Sequence, residues 1–275
     1  MILGIINGWE EGNFKAVADK KLDAVEFCVN HNYDSAEVLS KAQDIKAYSE
    51  KYNVKVGSIG RWGMDRILAD GEIDEEAFAH DKNLVDLASI VGCPVYNVGI
   101  NDIEERSFYE NCQSAIKYLS ALIDYARDKG VKICVYNCRW CNFVCEDKAW
   151  SVVLGALPEL GIKYDPSHCV DDGGDYLWEL SKWGSRIGHF HVKGIIMIGD
   201  DHFDDPPAGL DMINWRAVMG MLYAADYNGM LSIEPHSRVW HGAKGQWGID
   251  FTRDFIRSMM MPESCEYEQV DPYMP

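Results

Sequence analysis

The feature that most limits what this chain can fold into is its rhythm. Short apolar runs rich in β-branched and aromatic residues alternate eight times with stretches of helical periodicity. The runs predict strands at residues 3–7, 22–29, 54–59, 95–98, 131–136, the start of 161–168, 186–192 and 230–234. Helices are predicted at 14–21, from a cap at Ser35 to about 52, and at 74–91, 107–129, 147–157, 176–183, 215–225 and 250–261. Gly92, Pro94 and Gly130 punctuate the pattern. With no Gly/Ser linker and no low-complexity segment, residues 1–261 read as one parallel (β/α)8 barrel and residues 262–275 as a C-terminal tail. A doubly wound sheet is the alternative arrangement.

Composition narrows the partners. Asp and Glu number 44 against 26 Lys and Arg, a formal charge of -18, which repels phosphate backbones and anionic lipid surfaces. Nucleic acid and membrane are therefore not expected as partners. Nine cysteines, an odd number, and a start without a charged segment followed by a long apolar run predict reduced thiols and a cytoplasmic location. Cys134, Cys138, Cys141 and Cys145 invite a zinc reading, but only one pair has CxxC spacing and Cys134 falls inside a strand, so buried thiols are expected.

In a barrel the C-terminal strand ends converge on one mouth. They bring Glu26, Asp165 with His168, His189 and His191, and Glu234 with His236. Asp, His and Glu from three strands form an oxygen and nitrogen set suited to Mn, Zn, Co or Mg. In the HFH run His191 is read as the imidazole facing the barrel axis and His189 as a packing histidine turned the other way. Glu234 closes an apolar strand and needs a cation or donor beside it, which Lys193 or Arg238 would supply without a metal. Arg61 and Trp62 are placed in the loop after the third strand, and Trp9, Trp62, Trp140 and Trp240 in the loops at the mouth.

Four motifs in order carry a family resemblance: KYDPSH, HFHVKG, PAGLDMINW and YNGMLSIE. They resemble the strand-six Asp-x-x-His, the strand-seven His-x-His-x-Lys, the following Gly-to-Trp loop and the closing Gly-strand-Glu of xylose isomerase-like TIM barrels. That group holds sugar isomerases and epimerases, inosose dehydratase and AP-endonuclease-type members. The resemblance implies a divalent metal held by Asp165, His191 and Glu234, with His168 beside the substrate or the ion. It also implies a glutamate at the end of strand five.

That glutamate is missing: KICVYNCRW puts Tyr136 or Val135 at its place, next to Asn137 and Cys138. Two-base epimerisation needs a carboxylate on each face of the carbon, so simple 3-epimerase chemistry is not expected to carry over unchanged. Asn137, or water, is expected as the fourth ligand. Gly194 stands where HxHxKD members have an acid. The resemblance implies a sugar, sugar phosphate or cyclitol isomerase, epimerase or lyase, with Glu234 and His168 moving a proton. Glu26, Trp9, Trp62, Trp140, Lys193 and His236 are expected at the substrate. Without an arginine cluster or a Gly-rich phosphate loop, a neutral sugar or cyclitol is favoured. A sugar-binding barrel without catalysis and an AP-site endonuclease are the alternatives, and a homo-oligomer is compatible with either.

Overall fold

The structure, a computed structural model, describes residues 1–262 of the chain. From residue 263 on, the predicted tail lies outside the described residues. The strands are β1 (Ile2–Ile6), β2 (Ala24–Cys28), β3 (Lys55–Arg61), β4 (Val95–Val98), β5 (Lys132–Tyr136), β6 (Gly161–Tyr164), β7 (Ile187–Val192), the pair β8 (Ile196–Ile198) and β9 (Asp201–Asp204), and β10 (Met230–Ile233). All but β8 and β9 form a closed parallel barrel in which β10 returns to pair with β1. The (β/α)8 expectation holds.

The helices are α1 (Glu11–Asp19), α2 (Ser35–Ser40), α3 (Ala42–Tyr52), α4 (Glu75–Val91), α5 (Phe108–Ala126), α6 (Asp147–Ala156), α7 (Pro166–Asp171), α8 (Tyr176–Trp183), α9 (Trp215–Ala224) and α10 (Gly242–Arg257). Local chemistry sets several starts. Ser107 and Glu110 form a reciprocal capping box at α5, and the Asp74 carboxylate caps α4 by accepting from Glu76 and Ala77.

Some boundaries differ from the sequence reading. The helix expected after β2 is broken at Lys41 into α2 and α3, and its cap is Asp34 rather than Ser35. The loop after β7 contains the antiparallel β8–β9 hairpin. The last helix starts at Gly242, eight residues before its predicted start, and Arg61 closes β3 instead of lying in the loop beyond it. Helix α7 was not expected: Asp165 caps it and Pro166 takes its first position, where a missing N–H costs nothing.

Strand side chains alternate between two environments. Leu3, Val25, Phe27, Ile59, Val135, Ile162, Phe190 and Leu231 are fully buried in the apolar cluster shared with the helices. Each such side chain contributes on the order of 1.5–3 kcal/mol. The other positions share a register around the barrel: Glu26 beside Ser58, Asn97 beside Cys134, Lys163 beside His189, Ser232 beside His191. All of these are buried, so the barrel interior is polar.

Candidate functional site

The strand ends meet at a cavity of about 410 Å³ lined by Ile6, Cys28, Asn30, Trp62, Cys138, Trp140, Lys163, His168, His191, Lys193, Glu234, Pro235 and His236. Seven of the residues expected at the site are in this lining: Trp62, Trp140, His168, His191, Lys193, Glu234 and His236. Trp9 is not; it packs edge-on against Phe27 and Tyr33.

His191 sits between two carboxylates. Its Nε2 lies 2.9 Å from Glu26 Oε2 and its Nδ1 2.7 Å from Glu234 Oε2. Burial disfavours the imidazolium, but Glu26 and Glu234 outweigh it and raise the His191 pKa. His189 Nε2 also meets Glu26 Oε2, at 2.8 Å. Burial prevails at His189, whose pKa is lowered. Residues two apart on a strand share a face, so both imidazoles enter the barrel, and the outward assignment of His189 is corrected. Glu26, expected at the substrate, is instead fully buried beneath these two rings. Burial raises its pKa, yet the two histidines more than offset that and hold it well below the usual carboxylate range.

Asp165 is split between two tasks. Its Oδ1 accepts from the Ser167 backbone N–H and hydroxyl, as the cap of α7. Its Oδ2 is buried with no hydrogen-bond partner. Around that oxygen stand Lys193 Nζ at 3.6 Å, His168 Nε2 at 3.6 Å, Lys163 Nζ at 3.9 Å and His191 Nδ1 at 4.0 Å. Burial pushes the Asp165 pKa up, but Lys193, His168 and Lys163 bring it down to about 2. Burial lowers His168 to about 4 despite the neighbouring Asp165. Burial would also raise Glu234, yet Lys193 and His191 hold it well below its ordinary range.

Two groups of side chains could hold a metal ion among the described residues: Asp165, His191 and Glu234, and Glu26, His189 and His191, each with ligand atoms within 4.8 Å of one another. The first set fits a divalent ion. Its aspartate oxygen has no other partner, and Glu26 holds Nε2 of its histidine, which leaves Nδ1 to face the other two ligands. No cysteine cluster is among these groups; Cys134 and Cys145 are buried thiols, and Cys138 and Cys141 are half-buried.

The fourth corner departs from expectation. Asn137 spends its amide on the backbone of Asp165: Oδ1 accepts from its N–H at 2.9 Å and Nδ2 donates to its carbonyl at 2.8 Å. Asn137 therefore fixes the Asp165 main chain and is not placed as a ligand. Tyr136, at the end of β5, stacks on Trp62 at 5.2 Å and donates to the Trp140 carbonyl. Gly194 has a steric reason to lack the acid: a Cβ there would collide with the Pro206 carbonyl oxygen.

The residue that the sequence reading missed is Lys163, whose side chain is 2% exposed inside the barrel. Its signal was parity: positions 163 and 165 share a face, so an inward Asp165 brings Lys163 with it.

The architecture recurs in solved structures. D-Allulose 3-epimerase from Methylomonas sp. superposes with a TM-score of 0.74 at 16% identity, covering 94% of this chain and 98% of that one. The 3-keto-D-glucoside 4-epimerase of E. coli gives 0.71 at 15% identity, covering 94% and 99%. The IolI protein, solved with a bound zinc atom, gives 0.72 at 16% identity, covering 94% and 98%. No curated protein matches the chain in sequence. The family's sequence model does, over residues 14–255, and with the closed barrel it places this chain in the xylose isomerase-like TIM barrel family.

Proposed function

We propose that the protein is a metal-assisted isomerase or epimerase of a small sugar, sugar phosphate or cyclitol, or a lyase working through the same enediolate. The observation that carries this is the convergence of Asp165 Oδ2, His191 Nδ1 and Glu234 on one point beside the cavity. These three residues would hold the ion, of the Mn, Zn, Co or Mg class. When bound it would polarise a carbonyl and the adjacent hydroxyl, lowering the cost of an enediolate. Two of the similar structures are sugar epimerases and the third holds zinc, which supports this reading.

The chain's own residues supply the rest. Glu26 keeps His191 in one orientation. Glu234, ionised, or His168, neutral at physiological pH, takes a proton from the substrate carbon and returns it. Lys193 steadies the negative charge that develops. Trp62, Trp140 and His236 form walls suited to the C–H face of a sugar. The protein is read as cytoplasmic and part of carbohydrate metabolism, with neither nucleic acid nor membrane as partner. No helix among the described residues is long and apolar enough to cross a membrane.

Tyr136 at the place of the strand-five glutamate favours a second reading, a sugar-binding barrel without turnover. Deuterium exchange from solvent into a panel of ketoses and keto-inositols separates the two. Exchange is expected, together with about one divalent ion per chain. Neither in the wild-type protein, with Asp165→Ala plus His191→Ala changing nothing, would sink the proposal. AP-site cleavage is disfavoured by the charge of -18.

A further inference from the structure

We infer that the substrate is a sugar acid, a polyhydroxylated chain whose carboxylate is held by Lys163 and Lys193. This rests on the reading above for the place of the reacting carbon and names the substrate class of that same site.

Arg61, Arg66, Lys163 and Lys193 are the buried cationic side chains among the described residues. The two arginines are engaged. Arg66 makes two bonds to Asp81 and donates to the carbonyls of Met64, Gly99 and Arg61. Arg61 donates to the carbonyls of Val29, Asn30 and Tyr33. The lysines are not so placed. Lys193 reaches only His168 at 3.5 Å and Asp165 at 3.6 Å, and the nearest acid to Lys163 is Asp165 at 3.9 Å, beyond hydrogen-bond reach. Both ammoniums line the cavity. Both ammoniums thus face the cavity with donors that no carboxylate of the chain takes within hydrogen-bond distance, which leaves them open to an acceptor that enters it.

Charge selects the kind of acceptor. Lys163 and Lys193 are both ammoniums on the cavity wall, and a carboxylate accepts charge-assisted hydrogen bonds from both, about twice as strong as those a neutral polyol hydroxyl would accept. A phosphate ester fits less well. Phosphates in such barrels take backbone N–H groups from loops and helix starts, whereas no glycine lines this cavity. A lysine pair divided between two strands is invisible to a search for arginine clusters, which is why the sequence favoured a neutral sugar.

The test is isothermal titration of the purified full-length protein with D-gluconate, D-glucitol and D-glucitol 6-phosphate, with metal content measured on the same samples. D-Gluconate should bind at least about tenfold tighter than D-glucitol. Lys163→Met should remove that preference, and so should Lys193→Met, with the fold of each variant checked by circular dichroism. Equal affinities, tightest binding by the phosphate, no binding of D-gluconate, or a preference that survives both substitutions would overturn the inference. A metal-free protein with lysine-dependent D-gluconate binding would retire the metal and keep the sugar acid. A metal-loaded protein that prefers D-glucitol would do the reverse.

Discussion

Two buried charge clusters in this barrel are built to opposite rules. On the β3–β4 side, Arg66 and Asp81 form a closed set: both side chains are fully buried, the pair meets at 2.7 and 3.0 Å, and the hydroxyls of Tyr96 and Tyr118 donate to the same carboxylate at 2.6 and 2.7 Å. On the β6–β7 side, Lys193 and Lys163 stand 3.6 and 3.9 Å from an Asp165 oxygen that has no hydrogen-bond partner. The first cluster satisfies itself and ties α4 and α5 to the barrel. The second leaves donors and an acceptor unspent beside a cavity. Buried polar groups are normally paired, and this open set is where the proposed ion and substrate would bind.

That contrast can be broken at either end. The largest effect is expected from Asp81→Ala, which strands Arg66 and two phenols in the interior; a loss of about 3–5 kcal/mol should appear in urea unfolding. Tyr118→Phe removes one donor to the same carboxylate and should cost about 1.5–3 kcal/mol by the same measurement. At the open cluster the effects should fall on binding. Glu26→Gln, which weakens the hold on His191, should lower zinc affinity about ten- to a hundredfold in a chelator competition. The smallest stability change is expected from Lys163→Met, within about 1 kcal/mol of wild type, because it removes an ammonium that has no close partner. If Lys163→Met proved as damaging to stability as Asp81→Ala, the two clusters would not differ in kind.

Much of the fold was legible because apolar periodicity is local. Strand β4 and helix α8 fall on their predicted bounds, and the order of eight strand–helix units suffices to specify a barrel. Elements too short or too polar to show an apolar period were missed. The β8–β9 hairpin has an acidic, polar second strand without a strand's usual composition, and α7 is a short helix started by the same aspartate that serves the site. Asn137 was misassigned because an amide beside a strand end reads as a ligand until the main chain of Asp165 is seen to occupy both of its atoms.

By itself the sequence determined the barrel, the identity of Asp165, His191 and Glu234 as the convergent acids and imidazole, and the loss of the strand-five carboxylate. The first two follow from residue type, spacing and order along the chain; the third is visible only against the family's pattern. Only the tertiary structure decided which groups meet: that Glu26 lies under His189 and His191, that Tyr136 stacks on Trp62, and that Lys163 and Lys193 approach one oxygen of Asp165 without closing on it. Such pairings depend on closure of the barrel, which brings side chains from β2, β6, β7 and β10 within a few ångströms while their positions in the chain stay far apart.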